Sequence, residues 1–248
     1  MPDHRLPNLV VVPTFNEAGN IGKIVQAVLS ACPDCDLLVV DDGSPDGTGE
    51  IVGALARENA RLELMQRESK SGLGRSYVAG FSWGLERGYE RFLEMDADFS
   101  HDPGDIPRLI STAQSCDLSI GSRYVSGGGV EGWSKSRHLL SRSGNIYAQI
   151  VLGLRVRDST SGFRCYRREV LEKIDLAQVR SDGYAFQIDM AYRTQMLGFK
   201  VCETPIVFRE RSEGTSKMSK AIVMEGITSV TRWAIRDLFT GRRFSKKR

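Results

Sequence analysis

The sequence predicts an α/β protein built on a doubly wound, mostly parallel β-sheet. Within the first 120 residues, apolar runs of strand length alternate five times with stretches of helical spacing, and this alternation is typical of such sheets. The runs are continuous instead of alternating with polar residues, which indicates strands that are covered on both faces. Polar loops follow several of these runs, at the place where open α/β sheets bind their ligands.

Each element of this first half has its own signal in the chain. The first strand is predicted at residues 9–12, and the following helix places Ile21, Val25 and Val28 on one apolar face. The later strands are predicted at residues 37–40, 62–66, 92–95 and 117–120. The helices between them are predicted from apolar positions within residues 51–55, 73–85 and 106–113.

The second half is less regular. Gly127-Gly128-Gly129 predicts a mobile linker, and residues 158–164 predict a polar turn. Helices are predicted near residues 139–151 and from residue 183, and a strand at 201–208 is placed near an edge by Pro205. A last helix, at about 222–238, is apolar on one side and precedes a basic tail at 241–248. We expect this helix either to pack on its own domain or to lie on a membrane surface.

Composition narrows the classes of function. The net charge of +3 is too small to indicate a nucleic-acid partner. No apolar segment approaches the roughly 20 residues that cross a bilayer, and the N-terminal apolar run is too short for a signal peptide, so we expect an intracellular protein. Five scattered cysteines do not indicate a disulfide framework, and Cys32-Pro33-Asp34-Cys35 lacks the helix start typical of redox motifs.

The strongest chemical signal is Asp96-Ala97-Asp98, which follows the strand predicted at 92–95. Residues i and i+2 of extended backbone point to the same side, so the two carboxylates can meet at one point. Mg²⁺ and Mn²⁺ accept such ligands and take others from water and phosphates. The alternative is a solvated turn or a helix cap. Neither the G-x-G-x-x-G of a dinucleotide-binding dehydrogenase nor a P-loop occurs at the loops predicted to follow the strands.

Six motifs in a fixed order resemble the family-2 glycosyltransferases of GT-A fold, and within them the polyprenol (dolichol) phosphate mannose synthases. These motifs are residues 13–17, 40–48, 96–98, 121–124, 160–164 and 214–217. The resemblance implies inverting transfer of mannose from GDP-mannose to a polyprenyl monophosphate, with Mg²⁺ or Mn²⁺. It also implies a catalytic domain at 1–217, with a nucleotide-binding half at about 1–124 and an acceptor half at about 125–217. The amphipathic helix and basic tail then occupy 218–248.

The same resemblance implies roles for individual residues. Asp96 and Asp98 match the metal-binding pair, and with Arg123 they form the expected catalytic set. The positions that match donor-binding residues are Pro13, Phe15, Glu17, Val40, Asp42, Ala97, Arg211 and Lys217. Arg123 and Arg137 match residues that meet the acceptor phosphate. Phe15 stands where many relatives carry tyrosine, and Ser100 stands where some carry glutamine near the metal, which leaves the third protein ligand open.

The chemistry agrees with this assignment. A phosphate acceptor is already anionic, so it needs cations more than a general base, and arginine suits phosphate. His101 is the one histidine near the proposed chemistry, while Asp189 is a base candidate only for hydroxyl acceptors. Three alternatives stay open: another donor sugar such as UDP-glucose, a hydroxyl acceptor, and a non-catalytic nucleotide-sugar-binding subunit. We expect a peripheral protein on the cytoplasmic membrane face, and a separate membrane-anchoring protein is a further open partner.

Overall fold

The computed structural model describes residues 8–210 and 220–239. The strands are β1 (Asn8–Thr14), β2 (Cys35–Asp41), β3 (Leu62–Gln66), β4 (Arg91–Glu94), β5 (Leu118–Ser122), β6 (Gly129–Glu131), β7 (Arg164–Arg167), β8 (Val201–Pro205) and β9 (Val207–Arg209). Seven of them form one sheet in the order β3-β2-β1-β4-β7-β5-β8, and β6 pairs with β9. All pairs are parallel except those of β7, which runs antiparallel to β4 and β5. The predicted mostly parallel α/β fold is confirmed.

Helices cover both faces of this sheet. They are α1 (Ile21–Ala31), α2 (Thr48–Glu58), α3 (Leu73–Glu86), α4 (Ile106–Thr112), α5 (Lys135–Leu152), α6 (Arg168–Lys173), α7 (Gly183–Met196) and α8 (Lys220–Phe239). Alternate residues of β1 enter two separate core clusters: Val11 packs with α3 and α7, whereas Val10 packs with α1 and α4. This burial on both sides explains why the strands are continuous apolar runs.

Helix α3 lies unusually close to the sheet because it carries glycine where it crosses β1. A methyl group at Gly80 would lie 2.5 Å from Cγ1 of Val11, and one at Gly84 would lie 2.5 Å from the Phe92 ring. Any larger residue would push α3 away from the sheet. The close packing fixes the start of α3, which borders the cavity described below.

The second half departs from the predictions in three places. Strand β7 was not predicted, since the polar turn predicted at 158–164 overlaps it only at Arg164. This residue is fully buried, and its guanidinium donates to the carbonyls of Ser159, Ser161 and Gln187. The predicted mobile linker at Gly127–Gly129 instead leads directly into β6. The strand predicted at 201–208 is two strands, and β8 is at the sheet edge as expected.

The Cys32-Pro33-Asp34-Cys35 segment also differs from expectation. Cys32 and Cys35 are joined by a disulfide between the end of α1 and the start of β2. Both residues are buried, and the Arg61 side chain donates to the carbonyls of both. The bridge therefore closes a turn that is already held by hydrogen bonds.

Candidate active site

A cavity of about 350 Å³ opens at the carboxyl ends of β1, β2 and β4. Nine of the residues that the sequence nominated line it: Pro13, Phe15, Glu17, Asp42, Asp96, Ala97, Asp98, Arg123 and Arg137. Val40 does not line the cavity, because its side chain is fully buried in the core beside α3. Arg211, Lys217 and the basic tail lie outside the described residues.

One end of the cavity is built from the loops after β1 and β2. The Asp42 carboxylate accepts hydrogen bonds from Arg67 Nη1 at 3.1 Å and from the Ser76 hydroxyl at 2.9 Å. Its other oxygen accepts from the backbone N–H of Ser71. Lys70 lies over the Phe15 ring, with 4.3 Å from its ammonium nitrogen to the ring centre. The glycine-containing loop before α3 is therefore fastened across this end.

The carboxylate pair lies at the middle of the cavity. Asp98 is 4% exposed and accepts a hydrogen bond from the Ser100 backbone N–H, while the Asp96 side chain is 30% exposed. Across residues 8–210 and 220–239 no group of three or more His, Cys, Asp or Glu side chains is arranged to hold a metal ion. Two carboxylates on one strand end suit a divalent cation that takes its remaining ligands from substrate and water.

His101 lies directly behind this pair. Its ring is buried between Phe163 and Phe208, with ring centres 5.0 and 5.2 Å away, and its Nε2 is 3.9 Å from an Asp96 oxygen. Neither ring nitrogen has a hydrogen-bond partner among the described residues. Burial lowers the pKa of His101 to about 4, so the imidazole is neutral at pH 7.

At the other end of the cavity, Arg123 is held by a buried carboxylate. Its Nε and Nη2 donate to the two Asp158 oxygens at 2.7 and 2.6 Å, and Nη2 also donates to the Thr160 hydroxyl. Burial opposes ionisation of Asp158, but the charge and hydrogen bonds of Arg123 keep the Asp158 pKa below its ordinary value. These bonds use Nε and Nη2, and among the described residues Nη1 makes no hydrogen bond, so it is available to a ligand.

Arg137 approaches from the start of α5. Its guanidinium lies 4.4 Å from the Trp133 ring centre and donates to Glu210 at 2.7 Å. The Arg123 guanidinium lies 5.3 Å from the same ring. Trp133 thus holds two cations side by side, an arrangement that suits an anionic group such as phosphate.

Several of these residues were not predicted from the sequence. Asp158 and Asp182 serve as anchors, since Asp158 holds Arg123 and Asp182 accepts from the backbone N–H groups of Gly74 and Gly183. Their partners are 35 and 108 residues away, so no local pattern signalled them. Asp189, by contrast, does not line the cavity and pairs with Arg193.

The cavity lies at the strand ends and contains a carboxylate pair and two arginines. Together these groups define the active site of a transferase that uses a nucleotide sugar. Residues 9–175 match the family described as Glycosyl transferase family 2, and the chain belongs to that family.

Two curated relatives extend the likeness to almost the whole chain. A polyprenol monophosphomannose synthase of Mycolicibacterium smegmatis is 51% identical over 230 residues, which cover 92% of this chain and 87% of that protein. An undecaprenyl-phosphate mannosyltransferase of Micrococcus luteus is 46% identical over 235 residues, which cover 95% of this chain and 97% of that protein.

Solved structures share the fold at lower sequence identity. Glucosyl-3-phosphoglycerate synthase from Mycobacterium tuberculosis, in complex with phosphoglyceric acid, has a TM-score of 0.69 at 20% identity, covering 92% of this chain and 80% of the other. A mannosyltransferase from Pyrobaculum calidifontis, in complex with GDP-mannose and Mn²⁺, has a TM-score of 0.56 at 16% identity, covering 97% and 76%. At these identities the likeness establishes the α/β architecture.

Proposed function

We propose that this chain transfers mannose from GDP-mannose to a polyprenyl monophosphate with inversion at the sugar carbon, giving polyprenyl phosphate mannose and GDP. The names of the two curated relatives support the sugar and the class of acceptor. The observation that carries the proposal is the distribution of charge in the cavity, where a carboxylate pair lies at the middle and two arginines lie at one end. A metal ion on the carboxylates would meet the diphosphate, and the two arginines would meet the acceptor phosphate.

In this proposal the two ends of the cavity hold the two substrates. Phe15 and Asp42 hold the guanosine together with Pro13, Glu17 and Ala97, while Arg211 and Lys217 remain predictions for the diphosphate. Asp96 and Asp98 hold Mg²⁺ or Mn²⁺, which when bound neutralises the charge that develops on the departing GDP.

The acceptor needs a position more than it needs a base. Arg123 and Arg137 orient its phosphate for attack on the face of the sugar opposite GDP. No proton has to be removed from a phosphate that is already ionised, so a neutral His101 agrees with this chemistry.

We also propose that the protein works at the cytoplasmic face of a membrane, without crossing it. Among the described residues no helix has the length and apolar character of a membrane span. Helix α5 nevertheless exposes Leu139 and Ile150 by 70% and 77%, and α8 exposes Leu238 and Phe239 by 54% and 86%. A hydrogen bond between Tyr147 and Thr231 joins the two helices. Their exposed apolar residues therefore belong to one pair of packed helices, which suits binding to a lipid surface.

Co-sedimentation tests the membrane assignment. Replacing Leu139 and Ile150 by serine should lower binding to anionic vesicles several-fold, because buried apolar area drives interfacial binding. Leu197→Ser, directly after the end of α7, is the control because Leu197 is also an exposed leucine. Equal sedimentation of the double variant and the wild type would contradict a membrane role for α5.

A transfer assay tests the reaction. Purified protein is incubated with radiolabelled GDP-mannose, a short polyprenyl phosphate and Mn²⁺, and label entering the organic phase is measured. Label that appears and is lost with a chelator supports both the reaction and the metal. Label only from UDP-glucose or another donor would replace the sugar, and label only with a hydroxyl acceptor would replace the acceptor. Absence of label with every donor would favour the non-catalytic alternative.

A further inference from the structure

One polar side chain in the cavity wall has no role in the mechanism proposed above. Gln187, in α7, lines the cavity and is only 2% exposed. Neither its amide oxygen nor its amide nitrogen has a hydrogen-bond partner among the described residues. Leaving a buried amide unpaired is destabilising, so such a group is normally retained for a ligand, a water molecule or a neighbour.

The position of Gln187 relative to the carboxylate pair is defined by Gly162. A methyl group at Gly162 would lie 3.5 Å from Nε2 of Gln187 and 3.9 Å from each carboxylate oxygen of Asp96. Gln187 and Asp96 therefore border the same space, which stays open because residue 162 has no side chain. The backbone of Gln187 is fixed there, since its carbonyl accepts a 2.8 Å hydrogen bond from Arg164.

Glu94 is the competing partner for this amide. Burial raises the Glu94 pKa to about 7, and nearby groups that oppose the rise include Arg164 and the Gln187 side chain. Both Glu94 oxygens nevertheless lack a hydrogen bond of normal length within the described chain. An amide NH₂ has two donor hydrogens and its carbonyl is a further acceptor, so even a Gln187 that donates to Glu94 keeps a donor and an acceptor for the cavity.

We propose that Gln187 and Gly162 form the subsite for the transferred sugar, in which the Gln187 amide hydrogen-bonds a sugar hydroxyl and Gly162 leaves room for the ring. This inference rests on the proposed function, because it takes Asp96 to mark the diphosphate. An uncharged group that both donates and accepts matches a hydroxyl, whereas a phosphate is matched by the arginines at the cavity end. Gln187 is thus a specificity-determining residue, since a buried polar group that loses its partner discriminates strongly between substrates.

The test compares binding of nucleotide with binding of nucleotide sugar, by calorimetry in the presence of Mn²⁺. Gln187→Met keeps the length of the side chain and removes both hydrogen-bonding groups, and Gly162→Ala fills the open space with ordinary van der Waals contacts. We expect GDP affinity to stay within twofold of wild type, while GDP-mannose affinity falls tenfold or more in each variant. Gln114→Met is the control, because Gln114 is exposed and outside the cavity.

Deoxy-sugar donors identify the hydroxyl that is recognised. One deoxy analogue should bind to wild type tenfold more weakly than GDP-mannose does. Gln187→Met should bind that analogue at least as tightly as it binds GDP-mannose, because the variant no longer contacts the missing hydroxyl, as in a double-mutant cycle. Equal losses for GDP and GDP-mannose in Gln187→Met, or an unchanged GDP-mannose affinity, would overturn the proposal and leave Gln187 as a structural partner of Glu94.

The mannose assignment and this inference fail in different ways. If wild type prefers another nucleotide sugar, the same comparison is made with that sugar, so only the donor changes. A wild type that binds every nucleotide sugar no more tightly than its nucleotide would overturn the subsite itself.

Discussion

The two groups of residues that we propose for the donor and the acceptor are built by different means. Asp42 follows β2, and Asp96 and Asp98 follow β4; these strands lie parallel on either side of β1, so the sheet itself brings the aspartates together. The cations proposed for the acceptor come from segments without this regularity: Arg123 follows β5 and Arg137 lies on α5. One is locked to buried Asp158, whereas the other is paired near the surface with Glu210.

The contrast between these two arginines indicates which of them is fixed and which can adapt. Arg123 is desolvated and its charge is balanced by Asp158, so its position cannot change without exposing a buried charge. The Arg137–Glu210 pair is partly exposed, with side-chain exposures of 20% and 46%, and such pairs hold weakly. We propose that the acceptor phosphate displaces Glu210 from Arg137 at little cost, while Arg123 supplies a fixed reference point.

The largest effect is expected at the carboxylate pair. Asp98→Ala should lower mannose transfer by roughly a thousandfold or more, since it removes half of the carboxylate pair that would hold the metal. Transfer is measured by the organic-phase assay, and the melting temperature shows whether the fold survives. Asp102→Asn is the control, because the Asp102 side chain caps the short 3₁₀ helix Pro103–Asp105 and does not line the cavity. Wild-type turnover of Asp98→Ala with metal present would contradict the metal assignment.

A second large effect is expected on stability at the acceptor end. Asp158→Ala should lower the free energy of unfolding by about 3–5 kcal/mol, because it leaves the Arg123 charge buried and unpaired. Urea unfolding measures the loss. Glu172→Ala, which breaks the exposed Arg168–Glu172 pair, should cost no more than about 1 kcal/mol. Similar losses in the two variants would show that Arg123 is not locked as described.

Glu94 lies between the two ends and should give stability a pH dependence. Because its pKa is raised from the ordinary 4.5 to about 7, the folded state binds more protons than the unfolded state between these values. Its contribution is therefore complete below pH 4.5 and is lost as the pH rises through 7. Glu94→Gln should remove up to about 3 kcal/mol of this decline.

Urea unfolding of wild type and Glu94→Gln at pH 5 and pH 8 measures this term. The relevant quantity is the difference in the free energy of unfolding between the two proteins, because the titration of His101 changes stability with pH in the opposite direction. Its lowered pKa costs stability as the pH falls from 6.5 through about 4. Parallel pH profiles for the two proteins would show that Glu94 ionises normally.

The same contrast explains what the sequence could predict. Strand ends of a parallel sheet meet at one edge, so local patterns sufficed to bring Asp42, Asp96 and Asp98 together. Nothing local could show that Asp158 would be the partner of Arg123, or that Gln187 would face the cavity. Val40 shows the converse: its place in a motif suggested ligand contact, but the alternation of a strand turns its side chain into the core.

Strand β7 illustrates a second limit. The polar turn predicted at residues 158–164 ends at Arg164, and no element was predicted for the Arg164–Arg167 segment that follows. The segment is nevertheless a central strand, because backbone carbonyls from two other segments satisfy the Arg164 guanidinium. A buried arginine is stable only when such partners are present, and those partners exist only in the folded chain.

The smallest effect on stability, and the sharpest test of the comparison, is expected at Arg137. Arg137→Ala should change the free energy of unfolding by no more than about 1 kcal/mol, because its pair with Glu210 is partly exposed. Transfer should fall tenfold or more through a higher KM for the polyprenyl phosphate, since a phosphate contact is lost. Glu210→Gln is the matched control: it removes the same pair but leaves the cation, so its KM should stay equal to or fall below that of wild type. If both variants raise the KM equally, the pair itself is what matters, and Arg137 does not bind the acceptor.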